Sequence, residues 1–226
     1  MLVSFNWLKD YLDLSKITPE ELGEEFTLGG LEVETILKLG EGLDHLVVGY
    51  VETCEPIEGS DHLHKTTVNI GNEILPIVCG APNIAVGQKV IVAKVGAVLP
   101  GDFEIKATKI MDEPSKGMIV SLDELGFPDS IIPKHAEDGI YVLDEKAEVG
   151  EDARPYIGLD DAIFEFDLTP NRADALSMRG VAYEVGALLD QVPSFKEIEL
   201  KEDDAEKVED YVSVSVENEE DTLDYR

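Results

Sequence analysis

From residue 46 to residue 143 the chain is a succession of short β-rich runs separated by turn residues, a pattern that few folds can absorb. The runs cover 46–54, 63–70, 73–79, 89–95, 97–99, 105–110, 117–120 and 139–143. Gly71 with Asn72, Gly87 with Gln88, Pro100 with Gly101 and Asp138 with Gly139 punctuate them. Glycine and asparagine accept the backbone angles that tight turns demand, so each break can reverse the chain. A unit of about a hundred residues built this way closes most simply as a small barrel of the oligonucleotide/oligosaccharide-binding (OB) type.

The flanks have a different rhythm. Ser4 can cap a short helix carrying Phe5, Leu8 and Leu12 on one face, with Trp7 and Tyr11 as an adjoining pair, which makes Trp7 an expected core anchor. Thr18, Pro19 and Glu21 form a capping box with proline at the first helical position, and Gly29 with Gly30 ends that helix. From Leu31 the period becomes two, placing Leu31, Val33, Thr35, Leu37 and Leu39 on one face and Glu32, Glu34 and Lys38 on the other. Alternation returns at 162–168, where Phe164, Phe166 and Leu168 oppose Ile163, Glu165 and Asp167. A helix then starts near Ser177 with Met178, Val181, Val185 and Leu188 as its apolar stripe. Neither flank alone carries enough apolar surface for a domain. The expected architecture is therefore α+β: a split domain of residues 1–40 plus 151–192, with an OB-type barrel, residues 41–150, inserted between its halves. After Pro193 a charged stretch leads to one alternating run at 211–216, which reads as a strand without partners.

Composition limits the function. The 226 residues carry a net charge of −31, which repels phosphates unless basic residues are grouped locally. Five of the 18 basic residues fall between Lys89 and Lys116, where four acids share the window. Lys89, Lys94, Lys106, Lys109 and Lys116 therefore read either as a phosphate track or as solvated lysines. No run of about 18 apolar residues occurs, so no membrane helix is expected. The start lacks a basic and apolar secretory pattern, giving a cytoplasmic expectation. Cys54 and Cys79 fit no metal spacing and read as reduced, half-buried residues. His62 and His64 would point the same way on one strand, with Asp61 adjacent but no third ligand evident, so no metal site is assigned. Asp160 with Asp161 reads as turn solvation rather than a catalytic dyad, and no Walker, GxGxxG or GxSxG pattern occurs. No catalytic residue or cofactor is assigned to this segment.

Cys79-Gly80-Ala81-Pro82-Asn83, Gly87-Gln88-Lys89-Val90, Val95-Gly96-Ala97-Val98-Leu99-Pro100-Gly101 and Gly117-Met118-Ile119-Val120-Ser121 together resemble the tRNA-binding barrel of several tRNA synthetases. With Gly29-Gly30-Leu31-Glu32-Val33-Glu34 and Asp167-Leu168-Thr169-Pro170-Asn171-Arg172-Ala173-Asp174, the first 190 residues or so resemble the amino-terminal part of the β subunit of bacterial phenylalanine–tRNA ligase. The resemblance implies the same inserted barrel, an α2β2 complex with the α subunit, binding of tRNA, and use of ATP and Mg2+ at sites outside this segment. It also implies that residues 193–226 are a linker and the start of the editing domain. Within the family-like motifs, Asn83 and Ser121 are the short polar groups best placed for RNA. Asn83 reads equally as a turn residue and Ser121 as a helix cap. Asn171 and Arg172 read as an interface contact, or structurally with Arg172 tied to Asp174 or Asp167. At 57–63 the chain keeps the aspartate and leucine of the family's His-Pro-x-Ala-Asp-Lys-Leu but not its histidine, proline or lysine, which implies weaker RNA contact. Only Tyr50, Phe103, Phe127 and Tyr141 are available for base stacking. The alternatives are a free-standing tRNA-binding module and an acidic structural interaction domain.

Overall fold

The computed structural model describes residues 1–201, 206–216 and 218 and divides into two units, Met1–Pro193 and Ser194–Arg226. In chain order the first unit contains β1 (Leu2–Ser4), α1 (Phe5–Leu8), α2 (Pro19–Leu28), β2 (Glu32–Lys38), β3 (Leu46–Pro56), β4 (His64–Asn69), β5 (Ile74–Cys79) and β6 (Lys89–Ala93). Short strands follow: β7 (Val98–Leu99), β8 (Phe103–Glu104), β9 (Thr108–Ile110), β10 (Glu113–Ser115) and β11 (Met118–Ile119). The unit ends with β12 (Ala162–Asp167) and α3 (Met178–Leu188).

A three-stranded antiparallel sheet in the order β1-β12-β2 joins the two ends of this unit. Its core is aromatic. Phe164 is fully buried and meets Phe26 edge-on at 5.4 Å and Phe5 at 6.2 Å, while Phe26 meets Phe166 at 4.8 Å. The helices of this unit start where local chemistry dictates. Ser4 Oγ accepts from Trp7 N–H, Thr18 and Glu21 form the reciprocal capping box, and Ser177 Oγ accepts from Gly180 N–H.

Two expectations are corrected here. Trp7 is 53% exposed and donates its indole N–H to Tyr11 Oη at 2.9 Å. In a helix of four residues only the i, i+3 pair, Phe5 and Leu8, faces the sheet, so those two are the anchors. The single-face reading of β2 also fails beyond Val33. Glu165 faces Thr35 but Phe166 faces Val33, so Glu34 is an extra residue, a β-bulge that exchanges the two faces. Ile36 takes the inner position and Leu37 and Leu39 are each 45% exposed.

The second sheet has five antiparallel strands in the order β11-β6-β3-β4-β5 and is nearly closed. Lys116 N–H donates to Pro76 C=O at 2.8 Å and Val78 N–H to Ser115 Oγ at 3.2 Å, so the segment leading into β11 meets β5 across the remaining gap. Val51, Val68, Ile77, Val90 and Val92 fill the interior. A Cβ on Gly49 would lie 2.6 Å from both Val68 Cγ1 and Val92 Cγ2, so that position in β3 must be bare. The outer face of β3 and β6 is covered as well, with Val48 and Ile91 packed against Leu99, Val120 and Leu125. This explains why β6 is an unbroken apolar run rather than an alternating one.

Of the run at 105–110 only Thr108–Ile110 is strand, as β9, while Ile105 lies between β8 and β9, buried and bonded to Ala97. The run at 139–143 makes only an isolated bridge, Val90 to Val142, because the Asn83 side chain occupies the backbone of Ile140 where a neighbouring strand would otherwise bond. In the second unit, residues 211–216 form no strand, since no second strand pairs with them among the described residues. Residues 222–226 lie outside the described residues.

Candidate functional site

The polar residues singled out on the barrel separate into three groups. Asn83 and Ser121 belong to one end. The chain leaves β5 at Cys79, turns through Gly80 to Pro82, and directs the Asn83 amide at Ile140. Asn83 Nδ2 donates to Ile140 C=O at 2.8 Å and Oδ1 accepts from Ile140 N–H at 3.0 Å. A Cβ on Gly139 would fall 2.2 Å from Asn83 Oδ1, so this lock depends on glycine there. Ser121 Oγ accepts from Glu124 N–H at 3.2 Å while Glu124 accepts from Ser121 N–H at 2.8 Å, completing a capping box. Beside them lies a cavity of about 920 Å³ lined in part by Cys79, Ile119 and Ser121, with Asp123, Glu124, Asp129, Glu137 and Asp138 contributing carboxylates. An anionic ligand meets repulsion at this end.

Lys89 forms the second group by itself. Its ammonium donates to the carbonyls of Glu145 at 2.5 Å and Ala147 at 2.7 Å, so its charge holds the 144–147 turn against β6. Counting charges along the sequence cannot distinguish such a lysine from one facing solvent.

The third group is a cleft of about 320 Å³ beyond the end of β6. Lys94 and Lys116 line it together with His45, Glu73 and Leu75, and Ala107 forms part of its wall. The structure thus brings two of the five lysines into one depression. His45 was not among the sequence candidates; it holds a left-handed backbone, φ 65°, at the turn into β3. Lys109 is exposed on the β9–β10 hairpin, and Lys106 is exposed and paired with Glu104 at 2.8 Å.

Arg172 and Asn171 lie far along the chain, near α3. Arg172 is largely covered and reaches Glu184 at 2.7 Å, Asp174 at 3.0 Å and the Gly30 carbonyl at 3.4 Å, tying the end of α2 to the start and middle of the last helical segment. Arg172 holds the Asp174 carboxyl below its ordinary range. Asn171 is exposed. Asp161 works as a cap, accepting from Ser4 Oγ at 2.5 Å and Asn6 N–H at 2.9 Å.

Cys54 and Cys79 are free thiols, both raised in pKa by burial. His62 precedes β4 instead of sharing it with His64 and pairs with Asp61 at 2.7 Å. His64 Nδ1 is buried without a hydrogen-bond partner among the described residues. Among the described residues no group of three or more His, Cys, Asp or Glu could hold a metal ion, and no helix is long and apolar enough to cross a membrane.

Residues 46–152 match the family described as putative tRNA binding domain. Over 222 residues, 98% of this chain, it is 50% identical to the phenylalanine–tRNA ligase β subunit of Geobacillus kaustophilus, of which it covers 28%. It is likewise 50% identical to that of Listeria innocua over 96% of its own length and 27% of the relative's. The chain therefore spans about a quarter of the length of these relatives. Among solved structures it is similar to a MetRS-related protein from Pyrococcus horikoshii, with 22% identity, a TM-score of 0.34, and 46% of this chain and 84% of that one covered.

Proposed function

The chain is homologous, over nearly all its length, to the amino-terminal part of phenylalanine–tRNA ligase β subunits and carries a tRNA-binding domain, and from that premise we propose that it forms the tRNA-binding and architectural amino-terminal part of such a subunit. In this reading residues 1–40 and 151–192 make a split α+β domain, residues 41–150 an inserted barrel, and residues 193–226 a linker into the editing domain. The chain works in the cytoplasm within an α2β2 enzyme that attaches phenylalanine to its tRNA. ATP and Mg2+ are held by residues outside this segment. The observation that carries the reading is the 50% identity sustained along 98% of the chain, flanks included, which a free-standing tRNA-binding module would not need.

On the barrel, Lys94 and Lys116 are the residues we assign to RNA, with Lys109 exposed on the β9–β10 hairpin as a further contact. Asn83, Ser121 and Lys89 already bond within the protein, and Arg172 is held by its own carboxylates. Recognition is then phosphate-led and modest. With two or three phosphate contacts, affinity should fall about tenfold between 50 and 200 mM salt. Titration of labelled tRNA at these two concentrations tests this, and Lys94→Ala or Lys116→Ala should each lower the salt slope by about one. The acidic cavity favours a second reading, a structural interaction domain, which requires no tRNA binding even at 50 mM salt. Co-purification of the full-length β chain with the α subunit tests the assembly; a β chain that ignores α overturns it.

A further inference from the structure

We propose that the open edge of β2, with the groove between β2 and α2, docks an extended basic segment of a partner protein as an added strand. Unlike the tRNA assignment, this rests on backbone geometry at the opposite kind of surface. β2 ends the order β1-β12-β2, so among the described residues one side of its backbone has no strand neighbour. Which groups face outward follows from the register. Leu39 N–H donates to Asp161 C=O, and Leu37 and Thr35 face Ile163 and Glu165 two and four residues further on. In an antiparallel ladder alternate residues bond to the same neighbour, so the N–H and C=O of Ile36 and Lys38 point to the open edge.

Alongside this edge runs a groove of about 530 Å³ whose apolar lining includes Leu28, Val33 and Ile36 and whose rim carries Glu20, Glu24 and Glu34. Leu28 is 83% exposed at the end of α2, and Leu37 and Leu39 are uncovered on the other side of the strand. A strand laid against residues 35–38 would alternate its side chains between the groove and the Leu37 side, so both of its faces meet apolar surface. Charge selects the partner. Six glutamates stand against one lysine between residues 20 and 38, and that lysine, Lys38, is already paired with Glu20 at 2.5 Å. The last turn of α2, where the groove ends, has no basic residue to offset the negative end of the helix dipole. An acidic chain, including a second copy of this one, is repelled there; a lysine- or arginine-flanked apolar strand is attracted. The bulge at Glu34 limits pairing to the four residues beyond it.

The test is titration of the full chain with a labelled peptide alternating valine and lysine, with a valine–glutamate peptide as control, while amide hydrogen exchange is followed residue by residue. The valine–lysine peptide should slow exchange at Ile36 and Lys38, and the control should not. Lys38→Pro removes one outward donor and keeps the bonds to β12, so it should weaken binding by up to about tenfold. The doubly substituted Glu24→Lys, Glu34→Lys chain changes only exposed side chains and should weaken binding several-fold at low salt. Binding without protection of those two amides, equal protection by the control peptide, unchanged affinity in the double variant, or no binding would each overturn the proposal.

Discussion

The two sheets of the first unit finish their edges in different ways. The five-stranded sheet turns its own chain back across the gap, with Lys116 bonded to Pro76 and Ser115 to Val78, and rests on many small aliphatic contacts. The three-stranded sheet stops at β2, unclosed, and rests on a few phenylalanine rings. Closure makes the barrel depend on register everywhere and leaves recognition to side chains. An open sheet depends on a handful of large residues and leaves backbone groups available.

That contrast can be broken most directly at Phe164. Phe164→Ala removes the ring shared by Phe5 and Phe26 and should cost about 4 kcal/mol in thermal or denaturant unfolding. Hydrogen exchange then decides the relation of the two sheets. If β1, β2 and β12 open while β3–β6 stay protected, the sheets are separate cooperative units; if both lose protection together, they are one.

Lys89→Met sharpens the comparison from the barrel side. It removes two charge-assisted bonds and should cost about 2 kcal/mol, leaving the salt slope of tRNA binding unchanged. A slope lowered by about one would return Lys89 to the phosphate track. Asn83→Ala strands the Ile140 N–H and C=O and should cost about 1–2 kcal/mol, seen as faster exchange confined to 139–143. The smallest effect is expected at Asp174. Its pKa lies below the unfolded value, so its contribution is present above the ordinary carboxylate range and lost as pH falls through the lowered folded value. Asp174→Asn should flatten that part of the acid limb of stability against pH, with no change at neutral pH beyond the loss of one exposed ion pair.

Much of this was legible in the sequence because it is local. The Thr18–Glu21 box, the Ser4 and Ser177 caps, and the turn-bounded β-rich runs that mark β3–β6 each need only a few neighbouring residues. What escaped depends on partners far along the chain. The bulge at Glu34 exists only in the pairing with β12, and the position of Trp7 is set by which two residues of a four-residue helix face the sheet. The Asn83 lock requires Gly139 and Ile140, 56 and 57 positions away. The same holds for the candidate RNA site. Lys89 and Lys94 look alike in sequence, and only the fold sends one to backbone carbonyls and the other to a cleft it shares with Lys116.

Cys79 gives the barrel a built-in clock. Cys79 is buried, and burial raises its thiol pKa by more than the Ala81 backbone hydrogen bond lowers it, so the reactive thiolate is scarce while the strands stay together. In a Cys54→Ser background, the rate at which a thiol reagent too large for the acidic cavity that Cys79 lines modifies this sulfur therefore measures how often β5 comes away from its neighbours.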